Sequence, residues 1–116
     1  MPKKIIVDHD AGTNPDDFFA LLMLINSEKA ELALAISGNH YPLERAIFTK
    51  KIFSNANYNK AVSIAGEKIG CVEFFSQQYI KNYNPSIEFN DKEKIKSLID
   101  KNDDIIPRVK NKTIIY

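Results

Sequence analysis

Between Ile5 and Leu24 the chain reads IIVDHDAGTNPDDFFALLML, with four carboxylates, Asp8, Asp10, Asp16 and Asp17, set between two strongly apolar stretches. An unpaired buried carboxylate is costly, so the apolar stretches must form packed elements while the acids gather where those elements end. Lys4 to Val7 is short, β-branched and without polar alternation, which predicts a strand covered on both faces. Asn14-Pro15-Asp16-Asp17 has the residue order of a helix start, with Asn able to cap, Pro at the first helical position and acids in the first turn. That helix is expected to run to about Asn26. Because Phe18 to Ile25 is apolar all round, it is expected to be buried.

The alternation continues. Glu31 to Ile36 (ELALAI) reads as a second strand closed by Ser37-Gly38-Asn39. Leu43 to Phe53 reads as a second helix, with Leu43, Ala46, Ile47 and Phe53 on one face and Glu44, Lys50 and Lys51 turned away. Ala61 to Ala65 is a short third strand ending at Gly66. Strand, helix, strand, helix, strand with short links predicts the α/β class: an open, mainly parallel, Rossmann-like sheet with right-handed crossovers and flanking helices. Beyond Gly66, the spacing of Phe74, Phe75, Tyr79, Ile80 and Tyr83 predicts a helix stopped by Asn84-Pro85, its aromatic stripe serving core packing. Asp91 to Lys101 predicts a charged amphipathic helix packed through Ile95, Leu98 and Ile99, and Thr113 to Tyr116 a further strand. No repeat, low-complexity segment or linker interrupts the chain.

Composition narrows the function classes. At 116 residues, 44% of them hydrophobic, one domain over residues 1–116 is expected. Sixteen basic residues against fifteen acidic ones leave a net charge of +1, which draws the chain toward neither nucleic acid nor a membrane surface. Cys71 is the single cysteine, excluding an internal disulfide or a cysteine-based zinc cluster and fitting a reducing compartment, the cytoplasm by default. The apolar run before Asp8 is too short for a signal-peptide core or a membrane span.

In open parallel sheets ligands bind outside the carboxyl ends of the strands. Asp8 and Asp10 lie at such an end. Asp16 and Asp17 follow a loop that Gly12 allows to turn sharply, so all four carboxylates are expected to converge on one crevice. Such crowding favours a bound cation, and hard oxygen donors favour calcium or magnesium over zinc or copper. Asp16 and Asp17 would also complement the helix dipole. His9 and His40 flank the crevice and are read as hydrogen-bonded structural residues.

These residues resemble a known family. Met1 to Gly12 followed by Asp16-Asp17-Phe18-Phe19-Ala20-Leu21 is similar to the N-terminus of the inosine/uridine-preferring nucleoside hydrolases, whose signature is a D-x-D-x-G loop followed by a paired Asp-Asp. Ser37-Gly38-Asn39 resembles the family's Gly-Asn after the second strand, and Ala61 to Gly66 its third-strand segment ending in Ala-Gly. The likeness covers about the first seventy residues, with 71–116 divergent apart from Asn111 to Tyr116, which is similar to a strand preceding another ligand loop. The resemblance implies calcium-dependent hydrolysis of the N-glycosidic bond of a ribonucleoside to ribose and free base. It implies that Asp10 binds calcium and is the general base on the attacking water, that Asp17 is a chief calcium ligand, and that Asp8 supports the loop and touches the metal. Asp16 and Asn39 would hold the ribose.

Family members are typically more than twice as long, and their C-terminal half supplies a further calcium carboxylate, a carbonyl ligand and the groups that bind the base. The chain is therefore expected to act as a partial form, completed in a homo-oligomer or by a second chain. Two other readings stay open. Strand-D-x-D is also the nucleophile motif of haloacid-dehalogenase-like phosphatases, although Gly12 stands where that motif has Thr or Val and the Asp16-Asp17 pair is unexplained by it. The chain also reads as a non-catalytic remnant that keeps metal or ribose binding.

Overall fold

The first strand and the helix after it fix the frame on which everything else packs. The computed structural model describes residues 2–89, so the expected helix at 91–101 and strand at 113–116 lie outside the described residues. The chain runs β1 (Lys3–His9), α1 (Pro15–Ile25), β2 (Ala30–Ser37), α2 (Pro42–Asn55), β3 (Val62–Ala65), a single helical turn α3 (Gln77–Ile80), and the two-residue β4 (Glu88–Phe89). The strands pair in parallel in the order β1-β2-β3-β4. The α/β architecture with a parallel sheet and flanking helices is as expected.

Both longer helices cover the same face of the sheet. Leu21 of α1 and Phe48, Ile52 and Phe53 of α2 join Val7, Leu32 and Ala35 of the strands in one cluster, completed by Ala11, Phe74 and Ile80. Ile6, Leu34 and Ile64 form a second buried cluster. Ile6 and Val7 alternate along β1, so the two clusters lie on opposite faces of the sheet.

The pairing of β1 with β2 slips once. Ile5 pairs with Leu32 but Ile6 pairs with Leu34, so Ala33 is an extra residue opposite that step, a β-bulge. Leu32 and Leu34, two apart and expected on one face of a regular strand, therefore enter different clusters.

Three expectations need correction. α1 is not buried all round: Leu21 is its one fully buried residue, while Phe19 and Met23 are 58% and 75% exposed. A helix laid on one face of a sheet buries one stripe whatever its other faces carry. In α2 the fully buried face is Arg45, Ala46, Phe48, Thr49, Ile52 and Phe53, a stripe rotated from the one expected, with Leu43 and Ile47 only partly buried. The aromatic segment forms one turn rather than a helix over 74–83; Phe74 and Ile80 are buried, but Phe75 is exposed. No helix among the described residues is long and apolar enough to cross a membrane.

Leu32, wholly buried beneath the helices, holds the main cluster together. Leu32→Ala is expected to cost about 3 kcal/mol of stability, read in urea unfolding as a lowered midpoint with an unchanged slope.

Candidate functional site

The carboxyl ends of β1, β2 and β3 open onto three loops, and Asp10 sits in the first of them, between Asp8 in β1 and Asp16 and Asp17 in the first turn of α1. Past the end of β1, the Asp10 N–H donates to Asp17 Oδ2 at 2.9 Å, joining the loop to the first turn of α1. Just beyond the end of β2, Asn39 Nδ2 donates to Asp10 Oδ2 at 3.2 Å. Asn39 adopts a left-handed backbone (φ 67°), which asparagine tolerates better than most residues. Its Oδ1 accepts the N–H of His40 at 2.8 Å and of Val72 at 3.3 Å, which aims the amide nitrogen at Asp10.

Asp8 and Asp16 stand apart from this pair. Asp8 alternates with His9 along β1 and pairs with Ile36, on the sheet face opposite α1. It is half-buried, and burial, reinforced by the charge of Asp10, holds its pKa above the usual carboxylate value. Asp16 is exposed in the first turn of α1. Among the described residues no group of three or more His, Cys, Asp or Glu side chains is placed to hold a metal ion.

The electrostatics divide the pair into unlike halves. Burial and the hydrogen bond to Asp10 push Asp17 up to about 6, with the charges of Asp10 and Asp16 adding to the shift. The hydrogen bond from Asp17 holds Asp10 below the ordinary range, helped by Asn39 and the positive charge of Arg45. Below about pH 6 the proton resides on Asp17 and the charge on Asp10. Above it, two carboxylates face each other and a cation between them becomes favourable.

Two features of the site were not anticipated. The first is Arg45, fully buried in the first turns of α2. Its Nε donates to the His40 carbonyl at 2.6 Å, Nη1 to the Asp10 carbonyl at 2.7 Å and Thr13 Oγ1 at 2.8 Å, and Nη2 to the Val72 carbonyl at 2.8 Å. Longer bonds reach the carbonyls of Ala11 and Glu73. The second is the segment 69–76, which lies against the loop of Asp10. The Phe75 N–H donates to the Gly12 carbonyl at 3.0 Å, Ser76 Oγ to the same carbonyl at 2.9 Å, and Thr13 Oγ1 to Glu73 O. Gly12 has φ 122°, and a Cβ there would run into the Phe74 ring, so the turn and the close packing both require glycine. The sequence signal for Arg45 was its position four residues before Thr49 and seven before Ile52, on the stripe that α2 buries.

His9 is structural, as expected. Its Nδ1 accepts the Ala11 N–H at 3.1 Å, which places the proton of the neutral ring on Nε2, 3.3 Å from both Ser37 Oγ and Thr49 Oγ1. Thr49 Oγ1 in turn donates a hydrogen bond to the Arg45 carbonyl at 2.9 Å. His40 differs: its Nδ1 is buried with no partner among the described residues, and its ring lies edge-on to Tyr41, itself left-handed at φ 60°.

No family model, curated protein or solved structure matches the chain.

Burial lowers His9 to about 4, against an ordinary value of 6.5. The unfolded chain takes up this proton first, so the contribution of His9 is complete above pH 6.5 and is lost as the pH falls toward 4. The melting-temperature gap between wild type and His9→Asn is therefore expected to be widest above pH 6.5 and to narrow toward pH 4.

Proposed function

We propose that the chain is a nucleoside-hydrolase-like protein of Rossmann-like fold, whose site takes part in calcium-dependent cleavage of the N-glycosidic bond of a ribonucleoside in the cytoplasm. The observation that carries this reading is the meeting of Asp10, Asp17 and Asn39 at the carboxyl ends of β1 and β2. That is where an open parallel sheet takes its ligand.

The donors fit calcium in kind. Asp10 and Asp17 are hard oxygen ligands whose mutual repulsion above about pH 6 a divalent cation would relieve. They fit it in part only by number, since calcium takes about six to eight oxygens. In this reading the remaining ligands come from outside residues 2–89, including a second copy of the chain or another protein, and Asp8 supports the loop. When bound, calcium would supply a positioned water of lowered pKa and charge stabilisation at the sugar.

The chain's own residues do the rest. Asp10, held ionised by its neighbours, accepts the proton of the attacking water. Asn39, its carbonyl oxygen committed to two backbone N–H groups, presents its amide nitrogen to a ribose hydroxyl oxygen. Asp16, exposed beside Asp17, accepts a hydrogen bond from another hydroxyl. A positively polarised sugar forms as the bond to the base breaks, and the two carboxylates lie where they offset that charge.

The test is calorimetric titration of calcium into wild type and Asp17→Ala, with inosine and uridine hydrolysis measured on the same samples. Calcium binding lost in the variant, together with base release by wild type, is the expected result. Binding without base release would leave a metal- and ribose-binding module, and absence of both would refute the proposal.

Stability supplies a separate prediction. A carboxyl whose folded pKa is raised to about 6 contributes stability at low pH that is lost as the pH rises through that value. In calcium-free buffer above about pH 6, Asp17→Asn is expected to melt at or above the wild-type temperature, with the gap closing at lower pH. Millimolar calcium is expected to raise the wild-type melting temperature and leave that of Asp17→Asn unchanged.

A further inference from the structure

Arg45 is a buried cation whose acceptors among the described residues are all uncharged: five carbonyls and one hydroxyl. A cation so placed is expensive unless it is needed there. The carbonyls belong to all three loops at the carboxyl end of the sheet. Asp10 and Ala11 follow β1, His40 follows β2, and Val72 and Glu73 follow β3. The guanidinium plane also lies 5.7 Å from the centre of the Phe74 ring, the ring that packs on Gly12.

We propose that Arg45 is the positioning residue of the site: its planar fork sets the relative placement of the three loops and so brings Asp10 to Asp17 and Asn39. Both sides of Asp10 are tied to it. The Asp10 carbonyl bonds the guanidinium directly. On the other side, Asn39 Oδ1 is oriented in part by the N–H of Val72, whose carbonyl is held by Arg45 Nη2. Removing the fork frees the Asp10 and Val72 carbonyls together, and with Val72 one of the two N–H groups that aim Asn39 at the Asp10 carboxylate. What the positioned site binds rests on the function proposed above; the positioning itself does not.

Lysine tests this directly, because it keeps the positive charge but has one nitrogen and no fork with which to span three loops. In Arg45→Lys, amide hydrogen exchange at Asp10, Val72 and Phe75 is expected to accelerate by at least about tenfold, while amides within the β1–β2–β3 ladders keep their protection. Calcium affinity, measured where the variant remains folded, is expected to fall by at least about tenfold. Equal acceleration throughout the sheet would make Arg45 a general stabiliser and overturn the proposal, as would unchanged exchange at the three loop amides. Unchanged calcium affinity would overturn it as well.

Should Arg45→Lys not fold, Thr13→Val removes the hydroxyl that both accepts from Nη1 and donates to Glu73 O. It is expected to accelerate exchange at Val72 and Phe75 alone, and no change there would overturn the proposal. If wild type binds no calcium, the proposed function fails, while the exchange measurements still decide the role of Arg45.

Discussion

One guanidinium, enclosed by the carbonyls of three loops, is the constraint on which the carboxyl end of this sheet depends. Loop ends leave backbone oxygens that no strand partner can satisfy, and burying them unpaired would be costly. Arg45 resolves this for five of them at once, because its donors are fixed in a plane. The solution has a positional consequence. A planar donor fixes directions as well as distances, so the loops it joins are held in one arrangement rather than merely near one another.

The acids exploit that rigidity. Asp10 and Asp17 would drift apart in a loose loop, since like charges gain by separating. Here the Asp10 N–H binds Asp17 and Asn39 binds Asp10, so the pair is kept close at a cost visible in the raised pKa of Asp17. Nearby, His9 is held neutral by burial and joins β1 to β2 and α2 through Ser37 and Thr49. The site thus combines one group kept uncharged, one kept charged and one poised between, all within a few residues of the same strand end. Such arrangements are unstable by themselves and persist where the surrounding scaffold over-determines them.

What was legible in the sequence was whatever depends on neighbours along the chain. The order of strands and helices follows from β-branched runs separated by helix-start signals, and the carboxyl-end position of Asp10 follows from the break after Val7. The Pro15-Asp16-Asp17 helix start is where expected, though Asn14 makes no side-chain cap. What was illegible depends on partners far away. Arg45 looks like a solvated helix charge until the carbonyls of Val72 and Glu73, more than twenty-five residues later, are placed on it. The exposure of Phe19 and Met23 reflects which side of α1 meets the sheet, and hydrophobicity alone carries no direction when every face is apolar. The aromatic segment after Gly66 has helical spacing, yet its first residues are drawn out of a helix by bonds to Gly12 and Thr13.

The extra residue in β2 acts as a parity bit. Every position after Ala33 is inverted relative to an uninterrupted strand, so Ser37 reaches the face where His9 and Thr49 wait rather than the one shared by Leu34 and Ile36. Deleting Ala33 would restore plain alternation from Leu32 to Leu34 and leave each later residue on its present face, whereas pairing Ala33 in register would exchange inside for outside over the rest of the strand. In this chain the setting aside of one alanine, left out of the pairing, keeps the chemistry at the strand's end on the side where the helices lie.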